Sequence, residues 1–118
     1  MAMILVVDDD DSIRELILKI VRSSGHDALP ARNGLEAVAM FRSCPDSIDL
    51  VITDLKMPVM DGNEAVRRIR ETRPHATIIC VSGYSEQECP VGTMFLSKPF
   101  TVGQVRSCVG EALAVHVQ

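Results

Sequence analysis

Aromatic residues are scarce in this chain of 118 residues, which has three phenylalanines, one tyrosine and no tryptophan. So small a set gives no stacking platform for single-stranded nucleic acid, which needs successive aromatic side chains. Positive charge is not in surplus either. The net charge is −4 and the pI about 5.3, which argues against direct binding of nucleic acid or of an anionic membrane. No apolar stretch approaches the roughly 20 residues of a membrane span, and the first residues carry no basic region of a signal peptide. A cytoplasmic protein is therefore expected. The four cysteines, Cys44, Cys80, Cys89 and Cys108, have no CxxC spacing. They are expected as small buried residues in a reducing compartment, not as metal ligands or disulfides. The length allows one domain, residues 1–118, large enough for one real core.

What the chain does have is a run of four aspartates, Asp8 to Asp11, directly after Met3-Ile4-Leu5-Val6-Val7. An apolar run with β-branched members that ends in carboxylates reads as a buried strand delivering negative charge to its C-terminal end. Crowded carboxylates repel unless they are protonated or share a cation. Asp10 and Asp11 suit the N-terminus of a helix beginning near Ser12. Asp8 and Asp9 suit a divalent metal with hard oxygen ligands, for which Mg²⁺ is the natural choice.

Strand and helix patterns then alternate to the end of the chain. Ile13, Leu16, Ile17, Ile20 and Val21 recur at helical spacing, with a capping box available in Ser12 and Glu15 and a stop at Gly25. The segment from His26 to Ala31 reads as a strand, at a sheet edge because of Pro30. Asn33 caps a helix through about Ser43, and Ile48 to Thr53 is a buried strand ending on Asp54. After Asp61-Gly62 a helix runs to about Thr72 with Ala65, Val66 and Ile69 on its apolar side. Strands follow at Thr77 to Val81 and Thr93 to Leu96. A last helix from Thr101 turns Val102, Val105, Val109, Ala112 and Leu113 to one face. This alternation predicts right-handed βαβ crossovers and a parallel sheet covered on both faces.

Ligands of such sheets bind beyond the carboxyl ends of the strands. There stand Asp8 and Asp9, Asp54, Ser82 and Lys98, so every candidate polar group falls on one rim. Three carboxylates, a hydroxyl and an ammonium together suit phosphoryl transfer, in which a carboxylate attacks phosphorus and cations neutralise the transferred group. A lone lysine or serine there would be an ordinary turn residue; the shared edge gives them weight.

Val6-Val7-Asp8-Asp9, Thr53-Asp54 with Met57-Pro58 and Met60-Asp61-Gly62, Ser82-Gly83, and Lys98-Pro99-Phe100 together resemble the receiver domain of two-component response regulators. The resemblance covers essentially the whole chain. It implies a flavodoxin-like (βα)5 fold with strand order 2-1-3-4-5. It also implies that Asp54 is the phosphoacceptor, served by a histidine kinase or a histidine phosphotransfer protein. Asp9 and Asp8, with Asp54 and the backbone carbonyl of Lys56, would hold Mg²⁺, or Mn²⁺ in its place. Ser82 and Lys98 would contact the phosphoryl group, and Phe95 matches the aromatic switch position; the competing reading of Phe95 is a plain core residue. Lys56 is also placed to tune phosphoryl lifetime, against an exposed loop lysine as the plainer reading. Such a domain is a signalling phosphoacceptor assisting its own phosphorylation and dephosphorylation, not an enzyme acting on many substrates, and a homodimer is a further partner option.

One stretch departs from the pattern. Only twelve residues separate Ser82 from Phe95, and they include Cys89-Pro90 and Gly92. A full fourth helix does not fit, so that helix is expected to be about one turn or missing. The segment from Tyr84 to Met94 should be the most irregular part of the domain. Two other readings compete: a phosphatase of the haloacid dehalogenase type using Asp8 and Asp10 as its DxD pair, and a pseudo-receiver that only binds partners. The stretches Ser82-Gly83-Tyr84-Ser85 and Phe95 to Phe100 resemble receivers appended to hybrid histidine kinases.

Overall fold

A computed structural model describes residues 2–83 and 86–117. The elements run β1 (Met3–Val7), α1 (Asp11–Ser23), β2 (Asp27–Ala31), α2 (Gly34–Ser43), β3 (Leu50–Asp54), α3 (Gly62–Thr72) and β4 (Ile78–Ser82). A single 3-10 turn at Glu86–Glu88, then β5 (Met94–Ser97) and α4 (Val102–Val117), complete the chain. The five strands are parallel in the order β2-β1-β3-β4-β5, which is the flavodoxin-like arrangement. The described residues hold four helices and this short turn, as expected, because Pro90 and Gly92 leave no run long enough for a full helix between β4 and β5. Tyr84 and Ser85, at the start of that irregular stretch, lie outside the described residues.

Side chains alternate across the sheet and so build a core on each face. Ile4 and Val6 of β1, Leu50 and Ile52 of β3, Ile79 and Val81 of β4 and Leu96 of β5 meet α1 and α4. Leu5 and Val7, with Val51, Ile78 and Cys80, meet Ala37, Val38 and Phe41 of α2 and Ala65, Val66 and Ile69 of α3. β2 is an edge strand as Pro30 requires, since proline has no N–H for a central ladder.

The caps explain where the helices start. Asp10 is the N-cap of α1, its carboxylate accepting from the Ile13 N–H at 3.1 Å, so the cap falls on the aspartate run, two residues before the Ser12 of the expected Ser12–Glu15 box. Asn33 and Asp61 cap α2 and α3 in the same way, at 2.9 Å each. Gly25 closes α1 with φ +93°, a conformation that glycine adopts without a Cβ penalty. Two apolar positions differ from expectation. Leu16 is 45% exposed, and Leu18 takes its place in the core, because the row facing β1 runs through Ile17, Leu18 and Val21. Val102 is likewise 45% exposed at the rim of α4, where Cys108 joins Val105, Val109 and Ala112 inside. Of the cysteines, Cys80 and Cys108 are buried as expected, whereas Cys44 and Cys89 are half-buried because each sits just past a helical segment.

Candidate functional site

The carboxyl ends of β1, β3, β4 and β5 meet at one rim. Asp8 follows β1 and is buried, Asp54 closes β3 and is 7% exposed, and Ser82 closes β4 and is buried. Lys98 follows β5, and its peptide bond to Pro99 is cis. Strand register sets these positions, with Asp54 opposite Val81 and Ser82 opposite Ser97. The Lys98 N–H also donates to the Ser82 carbonyl at 2.8 Å, carrying the β4–β5 pairing one residue past the strand.

The side chains converge. Lys98 Nζ lies 3.4 Å from Asp8 Oδ2 and 3.4 Å from Asp54 Oδ2. Asp8, Asp9 and Asp54 each bring a carboxylate oxygen to within 4.8 Å of the other two. Asp9 is exposed where Asp8 and Asp54 are not, so the group opens to solvent on the Asp9 side. Each buried carboxylate accepts one backbone hydrogen bond at 2.9 Å, Asp8 Oδ1 from Asp10 and Asp54 Oδ1 from Leu55.

Burial pushes the Asp8 carboxyl above the ordinary carboxylate range, and the neighbouring Asp54 adds to the rise; the Asp10 N–H and Lys98 oppose it. Burial likewise raises Asp54, against Lys98 and the Leu55 N–H, with Asp9 adding a smaller upward push. Desolvation therefore wins over the single ammonium at both sites. Three carboxylates facing one lysine are under-neutralised, and hard oxygen donors at this spacing fit a small divalent cation.

The loop after β3 is held against the acceptor strand. The Gly62 N–H donates to the Leu55 carbonyl at 2.8 Å, and a Cβ at position 62 would press on the Asp54 backbone carbonyl and Leu55 Cα. Pro58 to Met60 forms a three-residue turn, Met60 N–H donating to the Pro58 carbonyl at 2.8 Å, with Val59 at φ 71°. That left-handed conformation is costly for a β-branched residue, by about 1–3 kcal/mol. Lys56 is exposed in this loop, bordering a hollow shared with Asp61, Asn63 and Glu88.

The structure thus brings together Asp8, Asp9, Asp54 and Lys98, with Ser82 on the adjoining strand end. Phe95 is half-buried and stands opposite Cys80 in register. Asp10 is drawn away from the cluster by its capping role, which removes the DxD pairing with Asp8. Sequence reasoning missed Arg14. This arginine is 8% exposed, and its guanidinium donates to the Asp8 backbone carbonyl at 2.9 Å and to Asp11 Oδ1 at 2.6 Å. Its spacing to Leu18 and Val21, i to i+4 and i+7, was the available signal.

The response regulator receiver domain family matches residues 4–109. The chain belongs to that family. This receiver domain is 34% identical to the sensor kinase CckA of Brucella abortus over 95% of its own length, but it spans only 12% of that protein. It is 32% identical to sporulation initiation phosphotransferase F of Bacillus subtilis, covering 93% of this chain and 92% of the relative. Its fold matches a chain of the CheX–CheY–BeF3–Mg²⁺ complex of Borrelia burgdorferi with a TM-score of 0.89 and 29% identity, over 95% of this chain and 89% of that one. Receiver domains are phosphoacceptor modules of two-component signalling that bind Mg²⁺ through acidic residues. No helix among the described residues of this one is long and apolar enough to cross a membrane.

Proposed function

We propose that Asp54 is the phosphoacceptor of this receiver domain and takes a phosphoryl group from the phosphohistidine of a histidine kinase or histidine phosphotransfer protein. The observation that carries the reading is the Lys98 ammonium placed 3.4 Å from both Asp54 and Asp8. A nucleophilic carboxylate oxygen forms the new P–O bond as the P–N bond of the donor breaks, leaving an acyl phosphate on Asp54 and the donor's imidazole. Asp54 must be ionised to attack, and Lys98 favours that form against the burial that opposes it. Lys98 and the Ser82 hydroxyl then meet the charge on the transferred oxygens.

Asp8, Asp9, Asp54 and the backbone carbonyl of Lys56 would hold Mg²⁺, which supplies charge neutralisation for the entering phosphoryl group. The three carboxylates fit such an ion, and the Mg²⁺ of the related Borrelia complex supports the choice. Phe95, half-buried beside the strand that carries Ser82, is the side chain we assign to report the change outward.

The test is intact-mass measurement with a small phosphodonor such as acetyl phosphate. One phosphoryl group should be added when Mg²⁺ is present and none after chelation, and Asp54→Asn should abolish it. Equal labelling of Asp54→Asn would overturn the assignment. No labelling of the wild type would mean a module that only binds partners.

A further inference from the structure

The loop after β3 is held from a second side, by an element that gives no side chain to the acidic cluster. Gly34 opens α2 and is buried. Its N–H donates to the Met60 carbonyl at 3.2 Å. A Cβ at position 34 would stand 2.5 Å from that same oxygen, 3.0 Å from Met60 Cγ and 3.1 Å from Ala65 Cβ. Gly34 is not among the residues at positive φ, so the close approach of Met60, and not the backbone conformation, calls for glycine here.

Local structure explains why the two meet. The Asn33 side chain caps α2 through the Glu36 N–H at 2.9 Å, which leaves the Gly34 N–H among the first-turn donors that the helix itself cannot satisfy. The Met60 carbonyl takes it. Met60 is itself buried, packed in the core with Ala37, Val38 and Ala65. Its N–H donates to the Pro58 carbonyl at 2.8 Å, so both polar groups of this residue are tied, one within the turn and one to α2. Gly62 ties the loop again at the Leu55 carbonyl, and Lys56 stands between these fixed points.

We propose that Gly34 is a positioning residue for phosphoryl transfer: by clasping the Met60 carbonyl it sets where the loop presents the Lys56 backbone carbonyl to Mg²⁺ beside Asp54. Gly34 touches neither the ion nor the phosphoryl group. The proposal rests on the Asp54 and Mg²⁺ reading above, and it makes the start of α2 part of what builds that site.

A methyl group at position 34 forces something to move, because a non-bonded carbon and oxygen do not come so close. The loop is the side that yields. Helix α2 is anchored by Ala37, Val38 and Phe41, all buried in a close-packed core, whereas Pro58 and Val59 are exposed. Displacing Met60 shifts the segment that leads back to Lys56, and Mg²⁺ demands near-ideal octahedral geometry from its ligands. A Cβ at Gly62 presses directly on the Asp54 backbone; one at Gly34 has Met60 and Ala65 as its nearest neighbours and reaches the site only through the loop.

The experiment compares the full chain as wild type, as Gly34→Ala and as Val109→Ala, the last of which trims the core on the other face of the sheet. Urea unfolding reports how far each variant is destabilised. Calorimetric titration should find Mg²⁺ affinity lowered about tenfold in Gly34→Ala, the scale of a disturbed support to a metal ligand, and unchanged in Val109→Ala. At saturating Mg²⁺, acetyl phosphate should label Gly34→Ala about tenfold more slowly than the other two. Wild-type affinity and rate in Gly34→Ala, or equal losses in Val109→Ala, would overturn the proposal. The wild type gives a second reading that needs no variant. By linkage, Mg²⁺ should slow hydrogen exchange of the Gly34 amide, and an amide indifferent to saturating Mg²⁺ would overturn the proposal as well. A wild type that takes up no label overturns the Asp54 reading and this one with it; a labelled wild type beside an unaffected Gly34→Ala overturns this one alone.

Discussion

Lys98 reaches Asp54 across the end of β4, its Nζ 3.4 Å from Oδ2, while the same ammonium stands 3.4 Å from Asp8. One cation is shared by two carboxylates that burial has already pushed toward the protonated form. Burial, only partly offset by the shared lysine, makes the metal-free protein sensitive to pH.

The folded-state pKa values of Asp8 and Asp54 are raised, so between the ordinary value of 3.8 and the raised values the folded state holds more protons than the unfolded one. Stability must then fall as pH rises through that window and recover as pH drops through it. The metal-free protein should melt at a higher temperature in mild acid than at neutrality, and Mg²⁺ should reduce the difference. Thermal unfolding with and without a chelator measures both. A metal-free melting temperature that rises steadily from pH 5 to 7 would contradict the assignment.

Asp9 and Asp10 are adjacent but have separable jobs. Asp10→Ala removes the cap on Ile13 and should cost about 0.5–2 kcal/mol of stability with little change in Mg²⁺ affinity. Asp9→Asn should weaken Mg²⁺ binding with little change in stability, because Asp9 is exposed. Urea unfolding and a Mg²⁺ titration on the two variants give the comparison, and a larger affinity loss for Asp10→Ala would reverse our reading of the aspartate run.

Arg14 should behave as a support for the acidic loop. Its loss leaves the Asp8 carbonyl without the guanidinium, so Arg14→Ala should cost about 1.5–3 kcal/mol and weaken Mg²⁺ binding as well. Arg106→Ala, which loses only an exposed contact to Ser23, should stay within about 0.5 kcal/mol. Equal effects of the two in urea would show that Arg14 supports nothing.

Gly62 and Gly110 should respond oppositely to alanine. A Cβ at Gly62 would meet Leu55 Cα at 2.8 Å and press harder still on the Asp54 carbonyl, so Gly62→Ala should destabilise by about 1–3 kcal/mol and lower labelling. Gly110, inside α4, has nothing within 4 Å of that Cβ, and Gly110→Ala should stabilise by about 0.5–1 kcal/mol. Urea unfolding midpoints decide between them.

The sheet was legible because its strands end on residues that do not belong inside one. Val7 gives way to Asp8 and Thr53 to Asp54, and a parallel topology puts both on the same rim. The lost helix was legible too, since Pro90 and Gly92 are local chemistry. Arg14 was not, because a charged residue in an amphipathic helix reads as solvated until the Asp8 carbonyl is seen beneath it. Leu16 and Leu18 were exchanged for a related reason. Both lie near the apolar stripe, and the tilt of α1 on β1, a tertiary property, decides which is covered.

The short connection between β4 and β5 has a consequence for how this architecture tolerates change. Ser82 and Lys98 are held together by the pairing of Ser82 with Ser97 and by the 2.8 Å bond from the Lys98 N–H to the Ser82 carbonyl. Neither contact passes through the eleven residues from Gly83 to Thr93 that connect the two strands. The length of that connection is therefore a parameter the rim geometry does not read, open to insertion or deletion while Ser82 and Lys98 keep their places.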